Sequence, residues 1–282
     1  MGSTALLAKE IERNVAIALA EDIGSGDLTA QLVPAGQGAR GAVVSREEAV
    51  LCGAAWFDAC FGQLDAGARI HWHARDGDRV RAGQMLCEIE AETRALLSAE
   101  RAALNFLQLL SATATVTRRY VDAVAGTGAK IVDTRKTLPG LRLAQKYAVR
   151  CGGGTNHRLG LYDGVLIKEN HIMAAGGIAA ALRRARDLAP AGAFIQIEVE
   201  TLEQLEDAVL AGATMVLLDN MDPSMMRQAV RFVAGRAELE ASGGVNLGRV
   251  RAIAETGVHR ISVGALTKDV RAIDLSLRHV ER

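Results

Sequence analysis

Charge collects in this sequence after several of its short apolar runs. After Ile131-Val132 comes Asp133-Thr134-Arg135-Lys136, after Val165-Leu166-Ile167 comes Lys168-Glu169-Asn170-His171, and after Val216-Leu217-Leu218 comes Asp219-Asn220. Between Asp133 and His171 seven Arg or Lys stand against three Asp or Glu, whereas the whole chain balances 33 against 33. A cationic surplus this local points to polyanions, because long basic side chains hold phosphates and carboxylates through charge-assisted hydrogen bonds. Arg135, Lys136 and Lys168 lead the candidates. Arg142, Lys146 and Arg150, spaced four apart after Pro139-Gly140, read equally as a solvated helix face.

Other residue types complete a site of this kind. In the run 194–200, Ile195, Ile197 and Val199 share one face while Gln196, Glu198 and Glu200 share the other. Buried parallel strands are usually apolar on both faces. Glu198 or Glu200, together with Asp219, would suit a hard divalent cation such as Mg²⁺, held mainly through water and substrate phosphates. A structural ion pair is the alternative. Two glycine turns, Ser242-Gly243-Gly244 and Val263-Gly264-Ala265, offer backbone N–H groups to a phosphate. Ser98 is a candidate N-cap, which would put Arg101 in the first turn of a long helix, where the dipole disfavours a cation.

These residues need a scaffold that brings strand ends to one rim. Leu7, Ile11, Val15 and Leu19 recur every four residues and predict an opening amphipathic helix, broken by the glycines after Asp22. Residues 42–90 change to short alternating runs punctuated by glycine, a sheet-rich pattern. A long helical pattern through Leu104, Leu107, Leu110, Val116 and Tyr120 follows, with a domain boundary near Ser111. Beyond it, apolar runs at 130–132, 164–167, 195–199, 215–218, 239–242 and 260–263 alternate with helical segments and predict βα units around a parallel sheet. Six strands are visible where a closed barrel has eight, so the barrel is incomplete or one or two strands are hidden.

Bulk properties exclude several classes. Zero net charge offers no general field for nucleic acid or an anionic membrane. No stretch approaches the roughly 20 apolar residues of a membrane span, and the first ten residues lack a signal-peptide pattern. Leu6 breaks the myristoylation pattern that Gly2 begins. Cys52, Cys60, Cys87 and Cys151 form no C-x-x-C pair, as expected of reduced thiols in a cytoplasmic protein. The stretch from His73 to Gln84 is similar to the turn of lipoyl and biotinyl carrier domains, but no lysine occurs between Arg40 and Gly128 to carry a prosthetic group. His71 and His73 share a strand face without a third ligand in reach, so an exposed strand is expected there.

Taken in order, Glu21-Asp22-Ile23-Gly24-Ser25-Gly26-Asp27, Glu100-Arg101-Ala102-Ala103-Leu104-Asn105, the run from Asp133 to Arg142, Gly152-Gly153-Gly154-Thr155-Asn156-His157-Arg158, Leu166-Ile167-Lys168-Glu169-Asn170-His171, Leu218-Asp219-Asn220 and Val263-Gly264-Ala265-Leu266-Thr267 resemble the quinolinate phosphoribosyltransferase family over nearly the whole chain. The resemblance implies an α/β protein, with an N-terminal α/β sandwich domain at 1–112 and an incomplete, open β/α barrel at 113–282. It implies phosphoribosyl transfer from phosphoribosyl pyrophosphate to quinolinate with decarboxylation, and assembly as a homodimer or larger in which Arg101 reaches the partner's site. Arg135, Arg158 and His157, with Arg101, would hold the two carboxylates. Lys136 and Lys168 would serve acid and phosphates, and Glu198 and Asp219 would orient Mg²⁺. Ser242, Gly243, Gly244, Val263 and Gly264 would cradle the 5′-phosphate, and Thr134 and Ser262 would also bind substrate. Glu198 is preferred to Glu200 by its distance before Leu202. Three arginines favour a dicarboxylate over nicotinate, the acid of the neighbouring phosphoribosyltransferase class. Lys268 stands where a histidine is frequent in the family.

Overall fold

In the computed structural model, which describes residues 3–279, the chain builds two units and visits the first of them three times. The first unit comprises the residues up to Arg118, Thr137–Gly153 and those from Asp269 on; the second comprises Arg119–Lys136 and Gly154–Lys268. Met1 and Gly2, on which the myristoylation reading rests, lie outside the described residues.

The chain begins in the first unit with α1 (Ser3–Ile23), β1 (Gly38–Ser45), β2 (Ala49–Val50), α2 (Ala54–Leu64), β3 (Arg69–Trp72), β4 (Arg79–Val80), β5 (Met85–Glu92) and most of α3 (Thr93–Ala123). It then supplies β6 (Lys130–Val132) to the second unit and α4 (Arg142–Cys151) to the first. The second unit is completed by β7 (Gly164–Ile167), α5 (Glu169–Ala175), α6 (Ile178–Leu188), β8 (Phe194–Val199), α7 (Leu202–Leu210), β9 (Met215–Asp219), α8 (Pro223–Val233), β10 (Glu238–Ser242), α9 (Leu247–Ala254), β11 (Arg260–Ser262) and α10 (Ala265–Lys268). Finally β12 (Leu275–His279) returns to the first.

In the first unit a four-stranded sheet runs in the order β12-β1-β5-β3, with every pairing antiparallel. The predicted stripe on α1 faces its core: Val15 and Leu19 are buried, and Leu7 and Ile11 pack partly against them. The helix α2 falls inside the stretch read as sheet-rich. Its buried residues Trp56, Phe57, Cys60 and Phe61 are types common in strands, yet they repeat at a helical spacing. His73 lies exposed beside the sheet, with Nε2 3.1 Å from Glu88.

Two expectations about helices are corrected. The long helix α3 begins at Thr93, because the Glu92 carboxylate accepts the N–H of Ala95 at 3.0 Å and so caps it. Ser98 is therefore interior, its hydroxyl donating to Asp27 at 2.7 Å, and Arg101 sits beyond the first turn, where the dipole argument loses its force. On α4 the solvated-face reading fails for Lys146, which is 2% exposed and shares the buried side with Ala144, Gln145, Ala148 and Val149.

The second unit is the open barrel expected from the sequence. Six parallel strands run in the order β6-β11-β10-β9-β8-β7, so β6 and β7 are the two ends and the ring does not close. Each of the six predicted runs is a strand. From β7 to β11, strands consecutive in the chain are neighbours in the sheet, with helices between them, the arrangement short βα loops permit. The loops end in caps: Thr201 accepts from Gln204 N–H, Asp222 from Ser224 and Met225 with Pro223 behind it, and Asn246 from Arg249. Ile131, Val132, Ile197, Val199, Val216, Leu218, Leu239, Ala241 and Ile261 form the buried interior. The β8 faces differ less than expected, because Gln196 is as fully buried as Ile197.

Candidate active site

A buried polar chain supports one end of the rim in the six-stranded unit. Glu240, 1% exposed in the middle of β10, lies opposite Arg260 of β11 and accepts its Nε–H at 2.9 Å. The same Oε2 accepts from Gln196 Nε2 at 3.2 Å. A carboxylate can only accept, so the amide is oriented with its oxygen towards His157 Nε2, 2.9 Å away. His157 must then donate from Nε2 and accept at Nδ1, where the backbone N–H of Arg158 arrives at 2.8 Å. The network fixes the neutral tautomer from both sides. The resemblance gives His157 a direct hydrogen bond to an acid; in this structure both ring nitrogens engage protein groups, Gln196 at Nε2 and the Arg158 N–H at Nδ1.

Asp133, wholly buried at the end of β6, ties the same loop down. Its Oδ1 accepts the His157 N–H at 2.8 Å and its Oδ2 accepts from Asn156 Nδ2 at 2.6 Å. Two guanidiniums result at one place. Arg158 donates to the Gly164 carbonyl at 3.0 Å, and burial, then the like charge of Arg135, push it below the usual arginine range, with Asp163 opposing. Arg135 carries a buried Nε with no hydrogen-bond partner. Buried donors are nearly always satisfied, so two like charges that repel one another, one with an unpartnered N–H, could receive an anion.

The other end of the rim is lysine, carboxylate and glycine. Thr134 Oγ1 accepts the Lys136 N–H at 3.0 Å, and the Lys136 carbonyl accepts from the buried Thr267 hydroxyl at 2.7 Å. Lys136 lies across Gly264, where a Cβ would meet its Cδ at 3.0 Å and its Nζ at 3.8 Å. Lys168 Nζ donates to Glu198 Oε2 at 2.8 Å, a pair half open to solvent on the lysine side. Glu200 is exposed beyond the end of β8, its backbone N–H donating to Gln204. Asp219 accepts from Asn220 Nδ2 at 2.8 Å. Asn220 has φ of 54°, a left-handed conformation asparagine tolerates. It packs so closely on Gly243 that a Cβ there would lie 2.9 Å from the Asn220 nitrogen. Ser262 is buried with its hydroxyl on the Ala241 carbonyl at 3.3 Å, and Val263 N–H donates to Val132.

Thr134, Arg135, Lys136, His157, Arg158, Lys168, Glu198, Asp219, Ser242, Gly243, Gly244, Ser262, Val263 and Gly264 all belong to the six-stranded unit, His157 and Arg158 in the loop between α4 and β7 and the others at or after strand ends. Arg101 belongs to the first unit, exposed on α3. Sequence reasoning missed Asp133, Gln196, Glu240 and Arg260 as supports and Asn220 as the residue covering Gly243. The available signal was a charge inside an apolar run, as in Leu239-Glu240-Ala241.

The chain matches the family description "Quinolinate phosphoribosyl transferase, C-terminal domain" over residues 113–278 and the corresponding N-terminal domain over residues 27–111. It is 46% identical to the nicotinate-nucleotide pyrophosphorylase (carboxylating) of Mycobacterium leprae, covering 92% of this chain and 94% of that one. A probable enzyme of the same name from Bacillus subtilis is 44% identical, with 91% and 89% covered. Among solved structures, the nicotinate-nucleotide pyrophosphorylase of Francisella tularensis superposes with a TM-score of 0.94 at 45% identity, covering 97% of both chains.

Proposed function

Because the chain belongs to the quinolinate phosphoribosyltransferase family, its reaction is phosphoribosyl transfer to quinolinate with decarboxylation, and we propose that the rim of the six-stranded unit carries it out. Quinolinate and phosphoribosyl pyrophosphate are the substrates; nicotinate mononucleotide, pyrophosphate and CO₂ are the products, feeding pyridine nucleotide synthesis.

The observation that carries this assignment is the pair Arg135 and Arg158, two neighbouring guanidiniums of which one has a buried, unpartnered Nε–H. A planar dicarboxylate supplies two anions to such a pair, and each guanidinium presents a fork that matches a carboxylate. His157, held in one tautomer, keeps the Arg158 backbone in place, so the acid is bound in a fixed orientation with its ring nitrogen towards the sugar. Lys136 over Gly264, with the turn at Ser242-Gly243-Gly244, receives phosphate groups. The Lys168 to Glu198 pair is exposed enough for Lys168 to exchange its carboxylate partner for a substrate anion.

As pyrophosphate leaves, positive charge grows on the ribose, and the carboxylates of Glu198 and Asp219 stabilise it at the adjoining strand ends. The same two carboxylates, on neighbouring strands, fit the sparse protein ligation Mg²⁺ takes when it also holds substrate oxygens. That ion would neutralise charge on the pyrophosphate. Once the ring nitrogen is alkylated, the carbon–carboxylate bond beside it breaks, its electron pair stays on the ring carbon, and a proton from water replaces CO₂. Arg135 and Arg158 keep hold of the remaining carboxylate.

We also place Arg101 in the site of a second copy within a homodimer, on the ground of its exposure and charge, and the reaction in the cytoplasm, on the ground of four free thiols. No described helix is long and apolar enough to cross a membrane. The test is purified protein with phosphoribosyl pyrophosphate and Mg²⁺, given quinolinate or nicotinate in turn. Mononucleotide and CO₂ in equal amounts from quinolinate are expected; no CO₂ from quinolinate refutes the assignment.

A further inference from the structure

Away from the rim, within the first unit, three side chains from separate segments converge. Cys52 precedes α2, Asp76 lies in the turn after β3, and Cys151 is the last residue of α4. Their ligand atoms, two Sγ and one carboxylate oxygen, all lie within 4.8 Å of one another. We propose that Cys52, Asp76 and Cys151 form a binding site for a thiophilic divalent cation of the zinc class.

The chemistry of the donors selects the ion. Two sulfurs and a carboxylate are a borderline-soft set that suits Zn²⁺ and is unsuited to Mg²⁺, so this site is distinct in kind from the pair Glu198 and Asp219. Tetrahedral bonds of about 2.0–2.3 Å set ligand atoms within about 4 Å of one another, so the three donors need close by no more than about 1 Å. Three protein ligands leave a fourth position for water.

The surroundings hold these donors as outer-shell partners hold metal ligands. Asp76 Oδ1 accepts the N–H groups of Gly53 and Ala54 at 3.1 and 3.2 Å, and Oδ2 accepts the Tyr147 hydroxyl at 2.8 Å. Oδ2 thereby keeps a lone pair for an ion. Cys52 is fully buried, and its backbone is fixed at both polar atoms: its N–H donates to Ser111 Oγ at 2.9 Å and its carbonyl accepts the Ser111 hydroxyl at 3.1 Å. Hydrogen-bonded first ligands are what tight sites use, and here one of the three, Cys52, is buried while Asp76 and Cys151 are half-buried. Cys60 and Cys87 show the contrast: both are buried in the same core but belong to no such cluster among the described residues. A thiol that serves packing alone has no need of a carboxylate and a phenol. On binding, each thiol that ligates gives its proton to the solvent.

The full chain, reduced, stripped of metal with a chelator and titrated with Co²⁺, tests the site. One equivalent is expected to bind, with tetrahedral visible bands and thiolate-to-cobalt charge-transfer absorption, and Zn²⁺ should displace it. Cys52→Ala and Cys151→Ala should each weaken binding more than about 100-fold, while the double variant Cys60→Ala/Cys87→Ala keeps it. Tyr147→Phe leaves all three ligands in place and should weaken binding about 10-fold, so the test stands even if a cysteine variant misfolds. The proposal is overturned if the parent protein shows no charge-transfer band, or if binding survives Cys52→Ala and Cys151→Ala. It is equally overturned if mass spectrometry finds Cys52 and Cys151 joined as a disulfide in place of bound metal.

Discussion

Replacing Gly264 by alanine separates the stability of the barrel from its chemistry. Gly264 does not adopt the left-handed backbone that would exclude a side chain, so alanine fits its conformation. A glycine-to-alanine change at a compatible position stabilises by about 0.4–1 kcal/mol through the unfolded chain. The new methyl would meet Lys136 Cδ at 3.0 Å, so the lysine must yield by a few tenths of an ångström. A long, exposed side chain yields at a cost of about 0.5–1.5 kcal/mol if it leaves its rotamer well. The two contributions nearly cancel, and the midpoint of urea unfolding should shift by less than about 1 kcal/mol in either direction. Catalysis has no such compensation. On the proposed function the methyl stands on the surface offered to phosphate, and if the lysine leaves its rotamer well to make room, Nζ moves further than Cδ, towards the displacement of about 1 Å that costs on the order of 100-fold. Steady-state rates at varied phosphoribosyl pyrophosphate and fixed saturating quinolinate, beside a denaturation curve, read both effects. Expected is a fall in kcat/KM for phosphoribosyl pyrophosphate of about 10- to 100-fold with a small change for quinolinate. Unchanged kinetics, or a loss of several kcal/mol of stability, refutes the placement of Lys136 over a phosphate cradle.

Gln196→Met keeps volume but strips His157 Nε2–H of its acceptor and Glu240 of one donor, and these buried losses should total about 3 kcal/mol by denaturation, with KM for quinolinate raised and KM for phosphoribosyl pyrophosphate little changed; equal changes in both KM values would show that the network does not act through Arg158. Mixing inactive Arg101→Ala with inactive Lys136→Ala should restore activity if Arg101 serves the other copy, since statistical exchange leaves one intact site in each mixed dimer and about a quarter of parental activity overall; no recovery after verified subunit exchange would place Arg101 in its own subunit's site or outside the site.

The legible parts of this molecule were those that depend on local pattern. Each central strand is a short apolar run, because its middle is buried, and all six were found on that signal; four run out into charge and two into glycine turns. The positions proposed for the site lie at or near those strand ends, and that placement is what the sequence pattern could show of them. Lost were features decided by distant packing. The helix α2 presents aromatic residues of types common in strands, which masked the helical spacing of its buried side; that side packs in the core of the first unit. The start of α3 depends on Glu92 rather than on the better-looking cap at Ser98. The burial of Lys146 and the pairing of Glu240 with Gln196 and Arg260 depend on neighbours 20 or more residues away, which no local spacing encodes.

The strand β1 has β5 on one side and β12 on the other, and β12 ends the described chain. A ribosome therefore finishes β1 about 230 residues before the strand that covers its free edge. At roughly 5–20 residues per second, that edge stays open for on the order of ten to fifty seconds. Throughout synthesis of the barrel, the nascent first sheet carries an unpaired row of backbone donors and acceptors, the feature that recruits stray strands. Only the arrival of β12 closes it, so a chain terminated before β12 keeps an aggregation-prone edge on β1.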